Sequence, residues 1–569
     1  MKRHVIVLMA IFSSAVSAQP DTLRIKQLQR CGDLLGEGAQ HWCLRAEGLG
    51  AAVPTVRLGG SQLAEAAIER QGNTLRLTLP TAGQRSAPLW LQDGERTSNA
   101  VWLSTQRSHV VAAGPGEVAK NMDGLTTYLD LVSLLIEEKY DGAAEARRIA
   151  GKYGAQVVGA IPPLNVYQLR LPVRDLVQRD ALVLRLGTEV SVDAVIVEES
   201  APERGEEGDG DGQSAIDQAD EWAANRFLDA LYFYQRRIPA SGVPVQPVRV
   251  GVIERDVDFD APPFSAYRGA CGKGQTCLYA PDGDRPGSHG SHVAGILAAR
   301  GEGFLPGLGR HSPGFEVIVG RNSDAGITAN IAASVNLVED GVRVLNWSWG
   351  IHRVGAKNLQ GDEVESLVRS GLAMSGYEEL LEEFFLWLRA RHPDVLVVNS
   401  AGNGASWSGT DEYRLPSSFV TEQLLVVGGH QRSDQAVPVE DPRHVRKRHS
   451  SNIDMRVDVS AAACIRPVAA DRPHCGTSYA TPLVTATVAT MLAINPALTP
   501  QQVRMLLRRS ALTLGSEQDF EAVDAEDLTA PILPSERGGR LDHPDLGRSA
   551  RLDMQRALDL AIQSRDRVR

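Results

Sequence analysis

The sequence predicts an α/β protein, a mostly parallel sheet flanked by helices over residues 221–569, preceded by two smaller modules. Three observations carry that expectation. Apolar runs at Val248–Ile253, Val317–Val319, Val342–Leu345, Val395–Val398 and Leu424–Val427 read as strands buried on both faces, as parallel strands are. Helical patterns lie between them, the clearest being Leu380, Leu381, Phe384, Phe385 and Leu388 on one core-packing stripe. Finally, the run LVTATVATMLA after Pro482 is apolar on all sides, which suits a helix buried inside a large domain.

Length and composition set the bounds. A chain of 569 residues suggests three to four domains. Its 43% hydrophobic and 23% charged content is ordinary for a soluble globular protein. A net charge of −11 over this length argues against nucleic acid as the main partner. Residues 1–18 read as a secretory signal: Lys2 and Arg3, an apolar stretch from Val5 to Ile11, then the small residues Val16-Ser17-Ala18. That stretch is too short to span a bilayer, so the expectation is export, to the periplasm or beyond, with no span in the mature chain. Six cysteines in an oxidising compartment permit a disulfide framework, and proximity favours Cys31–Cys43, Cys271–Cys277 and Cys464–Cys475 among fifteen connectivities.

Taken in order, residues 19–106 alternate apolar and polar positions, as at Leu75, Leu77 and Leu79. Leu89-Trp90-Leu91 and Val101-Trp102-Leu103 follow, with the turn signal Asp93-Gly94 between them. A small β-sandwich of Ig-like pattern is expected there, serving as a binding or spacer module. Residues 107–200 predict a compact α+β module of ferredoxin-like type. Its helices fall at 143–153 and 173–181, and its strands at 155–160, 166–171 and up to 197. Residues 201–220, with seven acidic side chains against one arginine, predict a solvated linker. Asp209 and Asp211 lack the later glutamate that an EF-hand calcium loop requires. Asp282 and Asp284 are the remaining weak calcium candidates, and no other cofactor is expected.

Four loops carry the chemistry, three after strands and one before the apolar helix. Glu254 ends VRVGVIERDVDFD, His289 sits in GSHGSHVAGILAA, Asn403 in VVNSAGNG and Ser478 in GTSYATP. Loops beyond the carboxyl ends of strands are where open α/β sheets hold ligands. Ser478 reads either as an N-cap or as a hydroxyl exposed at the positive end of a helix dipole, with Pro482 in the first turn. His292 is expected to pack, and the basic run 443–449 to be a solvated loop.

HGSHVAG, SAGN and GTSYATP resemble the histidine, oxyanion and serine motifs of the subtilisin-like serine proteases, across residues 220–569. The carboxylate–His–Ser order also matches. The resemblance implies Ser478 as nucleophile, His289 as its base, a carboxylate orienting His289, and Asn403 with the Ser478 N–H as oxyanion donors. It also implies that residues 346–350, NWSWG, pair with an extended protein or peptide substrate. Helices at LTPQQVRMLLRRSA and RLDMQRALDLA would close the domain. One departure stands out. The family expects aspartate followed by x-Gly where this chain has Glu254-Arg255-Asp256; aligning the strand makes Glu254 the orienting group, with Asp256 in the glycine's place as the alternative. Sedolisin-like relatives use glutamate but lack the HGSHVAG block. Residues 152–172 resemble propeptide domains, which template and inhibit such enzymes until a cut in the following linker. The expectation is therefore an exported serine endopeptidase made as a precursor, and the alternative a catalytically impaired relative that binds through its N-terminal module.

Overall fold

A computed structural model describes residues 22–32, 40–79, 85–114, 116–122, 124–200, 218–241, 247–269, 271, 275–283, 289–299, 314–321, 326–352, 354–357, 363–368, 370–403, 414–433, 436–448, 451–452, 457–465, 473–513 and 550–566. The signal segment, Asp209, Asp211 and Asp284 lie outside them.

Two antiparallel sheets come first. One orders its strands Arg24–Cys31, Gln40–Glu47, Thr74–Leu79 and Ile68–Gln71, and the other is built on Thr55–Leu58 and Ala87–Asp93. Strand alternation explains why they face each other: in Thr74–Leu79 every second residue is buried, so Leu75, Leu77 and Leu79 meet Leu89, Leu91 and Leu103 in one core. Asp93-Gly94 does turn the chain, with Gly94 at φ 62°, but into the short strand Arg96–Thr97 rather than directly into Val101–Leu103.

The second module has the order βαββαβ. Its strands Leu131–Ile136, Gln156–Ile161, Val166–Arg170 and Val192–Ile196 lie antiparallel in the order second, third, first, fourth, which is the ferredoxin-like arrangement. Asp141 caps the helix Gly142–Tyr153. The other helix, expected from 173, starts only at Leu176, because the Asp175 carboxylate accepts from Gln178 N at 2.8 Å and fixes the start there. The strand at 131–136 carries no alternation, being buried throughout, and the sequence reading missed it.

The large domain is a sheet whose parallel strands run in the order Cys277–Tyr279, Phe315–Arg321, Val248–Glu254, Val344–Trp347, Leu396–Ser400, Leu424–Arg432 and Val457–Ala462. Successive residues point to opposite faces and divide the core in two. Val250, Val252, Val398 and Val427 pack with the helices His289–Ala298 and Thr477–Ile494. Ile253, Leu345, Val397 and Val426 pack with Gly326–Glu339 and Gly371–Arg391. Connections from Val248–Glu254 first run to one side of the sheet and then, from Val344, to the other. The strand order therefore switches between these two neighbours, where a ligand crevice opens. The helix Thr477–Ile494 is long and apolar enough to cross a membrane, but it is 94% buried inside the protein and serves as the core helix.

Two expectations need correction. Residues 218–220, placed in the linker, already belong to the helix Gln218–Ala223. The reason is that Glu221 is buried and its carboxylate accepts from Arg432 N at 3.0 Å, anchoring that helix to the sheet. The basic run is not simply solvated: Val445–Lys447 pairs with Leu424–Arg432, and His444 and Arg448 are buried.

Both N-terminal modules dock on the large domain through buried polar groups. Asn99 donates to Ala280 O at 2.8 Å, and the Lys26 ammonium to Gly283 O at 3.1 Å. Asp340 collects Trp102 Nε1 at 2.8 Å and Gln106 Nε2 at 2.9 Å. From the second module, Glu198 accepts from Thr328 N at 2.9 Å and Ile327 N at 3.2 Å, at the start of Gly326–Glu339. Glu199 accepts from Ser370 N and Ser370 Oγ at 3.1 and 2.8 Å, at the start of Gly371–Arg391. A carboxylate therefore sits at the positive end of each helix.

His430, on Leu424–Arg432, is fully buried and neither ring nitrogen has a partner among the described residues. Burial, reinforced by the Arg551 charge, holds its pKa well below the ordinary value. The unfolded chain then takes up that proton first, so the stability present above about pH 6.5 is lost as pH falls, by about 1.4 kcal/mol per pH unit. Asp282 works the other way below pH 6, since burial raises its carboxyl to about 6. The check is therefore differential. A His430→Leu variant, whatever its stability at pH 7.5, is expected to lose less between pH 6.5 and 5 than the parent, measured by denaturant unfolding. Equal losses would clear His430 of the acid sensitivity.

Candidate active site

Glu254 is the last residue of its strand and His289 the first of its helix, so both lie at the carboxyl edge of the sheet. Glu254 Oε1 is 2.9 Å from His289 Nδ1. The small residue after His289 explains how they come so close: a Cβ at Gly290 would sit 2.4 Å from the Asp256 carbonyl oxygen and 3.4 Å from Glu254 Cβ. Asp256 directs its carboxylate elsewhere, its Oδ1 lying 2.8 Å from where a Gly283 Cβ would be. The structure thus brings Glu254, not Asp256, onto the histidine. His292 is buried against the rings of His474 and Tyr479, at 5.0 and 5.9 Å between centroids.

Ser478 is in the first turn of Thr477–Ile494. Gly476 is the N-cap and makes no side-chain cap bond, so Ser478 is not the cap. Its hydroxyl donates to Ser348 O at 3.2 Å, and it is partly exposed. The ring of the next residue, Tyr479, lies 5.8 Å from that of His289, which places the turn beside the histidine. Pro482 falls inside the helix rather than in its first turn. Lacking an N–H, it leaves the carbonyl of Ser478, four residues back, without its helical partner. The Ser348 hydroxyl supplies that bond at 2.9 Å.

Asn403 reaches the same turn. Its Oδ1 accepts from Thr477 N at 2.9 Å, and its Nδ2 would be 3.2 Å from a Cβ at Gly476. Gly476 therefore makes room for the asparagine amide. Further ties fix the turn: Gly476 N donates to Ala463 O at 2.8 Å, Gly402 N donates to Thr477 Oγ1 at 3.1 Å, and Cys464–Cys475 bridges the flanking strands. Cys31–Cys43 and Cys271–Cys277 are bridged as well. Opposite lies the 346–350 segment, where Asn399 Nδ2 donates to Trp347 O and Trp349 O, each at 2.8 Å.

Sequence reasoning missed Asn399 and Arg414, and it gave Ser348 only as part of the substrate-pairing backbone, not for its hydroxyl. Arg414 is buried, and its guanidinium donates to Ser400 Oγ at 3.0 Å. Pro482 signals that the helix needs a donor from outside it, but not which residue supplies it. Among the described residues no group of three His, Cys, Asp or Glu side chains could hold a metal ion. Asp282 instead lies among cations, 3.7 Å from Arg268 and 4.0 Å from Arg24.

An open parallel sheet carrying a carboxylate, a histidine, an asparagine and a serine in that chain order at its carboxyl edge defines the subtilisin-like class of α/β folds. The chain belongs to the subtilase family, peptidase S8, whose model matches residues 248–538. A relative named as a probable subtilase-type serine protease of Deinococcus radiodurans is 23% identical over 452 residues, 73% of this chain. The chain spans only 56% of that relative's length. Among solved structures it is similar to fervidolysin of Fervidobacterium pennivorans, described as a keratinolytic enzyme related to subtilisin. The identity is 15% and the TM-score 0.47, over 80% of this chain and 65% of that one. It is also similar to the epidermin leader peptide processing serine protease of Staphylococcus aureus, at 17% identity and a TM-score of 0.46 over 76% and 98%.

Proposed function

We propose that the chain is an exported serine endopeptidase, made as a precursor and acting on protein or peptide substrates. The observation that carries this reading is the 2.9 Å pairing of Glu254 with His289 Nδ1 beside the helix that bears Ser478. The carboxylate fixes the tautomer with Nδ1 protonated, leaving the other ring nitrogen as the base, and it stabilises the imidazolium that forms. Ser478 Oγ turns from Ser348 O toward that nitrogen, loses its proton and attacks the scissile carbonyl. Asn403 Nδ2 and the Ser478 N–H donate to the developing oxyanion, and the imidazolium protonates the leaving amine. The chemistry needs no cofactor. The three disulfides support an oxidising destination, secreted or periplasmic.

The α+β module is read as a propeptide. Supporting this are the carboxylates of Glu198 and Glu199 on two helices of the catalytic domain, immediately ahead of the 201–217 segment where a maturation cut would fall. A fluorophosphonate probe tests the function, since it labels only an activated serine. Labelling of processed wild type and not of Ser478→Ala is expected; no label on folded, processed protein would leave a binding relative in place of an enzyme. Asn403→Ala should lower kcat by about 10²–10³-fold with little change in KM, since its amide meets charge that exists only in the transition state. A loss confined to KM, on a fluorogenic peptide, would remove Asn403 from the oxyanion site.

A further inference from the structure

The β-sandwich, the segment leading out of it and the catalytic sheet close around a cavity of about 190 Å³ that the proposed chemistry does not use. That is roughly an order of magnitude more than a single water needs. Much of its wall is apolar, with Leu28, Val110, Ile318, Ala333 and Leu337 among the lining residues. The lining is polar too, through Gln27, Ser104 and Asn336 among others, and three of its residues carry an unpaired atom: Arg30 Nη1, Trp42 Nε1 and Ser108 Oγ are buried, and none has a hydrogen-bond partner among the described residues. Trp42 is 6% exposed and Ser108 4%.

Each buried donor left unmade costs about 1–3 kcal/mol, so three lining one cavity are not neutral packing. They are also held in place. Asn336 grips Ser108 by its backbone on both sides, accepting from its N–H at 3.1 Å and donating to its carbonyl at 2.8 Å. The Arg30 guanidinium lies 5.7 Å over the Trp42 ring. Among the described residues no carboxylate pairs with Arg30. His109, beside it, adds no second charge near neutral pH, because burial and the Arg30 charge push it down to about 4.

One guanidinium, one indole N–H and one hydroxyl match a singly charged acceptor pair, and the surrounding wall matches an apolar body. Arg107 adds a second positive charge near Arg30, which strengthens the attraction for an anion. We propose that this cavity is a binding site for a compact organic carboxylate, its oxygens on Arg30, Trp42 and Ser108 and its apolar part against Ile318 and Leu337. Two sources share that chemistry, the carboxyl end of a short apolar peptide and a short fatty acid.

The test uses the full-length chain with Ser478→Ala, so that the sample stays intact, and its ¹⁵N-labelled indole resonances. Comparison with an added Trp42→Phe substitution assigns the Trp42 signal. On titration with N-acetyl-leucine or with octanoate, that signal is expected to move and saturate, and Arg30→Gln to weaken the response by about tenfold or more. Response to N-acetyl-leucine alone assigns a peptide end, response to octanoate alone a fatty acid, and either supports the site. No shift with either probe at millimolar concentration would overturn it, as would an equal response to inorganic phosphate. So would a saturating shift that survives Arg30→Gln.

Discussion

Replacing Glu254 with glutamine should lower kcat/KM on a fluorogenic peptide by about 10⁴-fold, toward the level of Ser478→Ala. The amide keeps the shape of the side chain but can turn its NH2 toward the Nδ1 that now faces Glu254 Oε1 at 2.9 Å, which selects the tautomer with Nδ1 bare. It also removes the negative charge that stabilises the imidazolium. Glu254→Asp is the sharper comparison: shortening the side chain draws the carboxylate back by about 1 Å, which can cost about 10²-fold in rate. Asp256→Asn should stay within a few-fold of the parent, because its carboxylate lies beside Gly283 and not on His289. If Asp256→Asn gave the large loss and Glu254→Gln the small one, the assignment of the orienting carboxylate would be reversed.

The second large effect concerns the hold of the α+β module on the catalytic domain. Glu198 is buried and takes the Thr328 N–H and the Ile327 N–H at the start of one helix. Removing it leaves those donors, at the positive end of the helix, buried with no acceptor. Truncating one partner of such a charged pair costs about 2–5 kcal/mol, or some 30-fold or more in affinity. The measurement is made on Ser478→Ala protein carrying a specific protease site within residues 201–217. After the cut, the N-terminal part should remain bound through size-exclusion chromatography, and Glu198→Ala should weaken its retention by that factor. Undiminished binding would show that the β-sandwich contacts alone hold the two parts together.

How much of this was legible depended on how local the determinant was. His289, Asn403 and Ser478 each sit in a short motif at a strand or helix end, so spacing and context were enough to single them out. The orienting carboxylate was left open between Glu254 and Asp256, because residues two apart at a strand end share a face and only the backbone turn after Glu254 separates them. Pro482 was placed a turn too early, since the sequence gives no sign that Ser348, 130 residues upstream, would support the orphaned Ser478 carbonyl. Strands with clear alternation, such as Thr74–Leu79, were found. Unbroken apolar runs such as Val395–Val398 were found too, but Leu131–Ile136 and Val457–Ala462, buried throughout yet interrupted by Ser133 and by Asp458 and Ser460, were not. The docking contacts of Asn99, Lys26 and Asp340 were invisible, because a polar residue that pairs across modules looks like any surface residue in the sequence.

Those docking contacts fix an order of events in time. Asn99 and its partner Ala280 are separated by 181 residues, and Lys26 and Gly283 by 257. At about 5–20 residues per second, synthesis delivers Ala280 some 10–40 s after Asn99. Throughout that interval Asn99 keeps its bonds to Ile25 and Lys26 keeps Glu47 beside it within the module, while the bonds to Ala280 and Gly283 remain unmade. The β-sandwich is thus complete in sequence long before its resting place exists, and its burial must await the large sheet, which is made later.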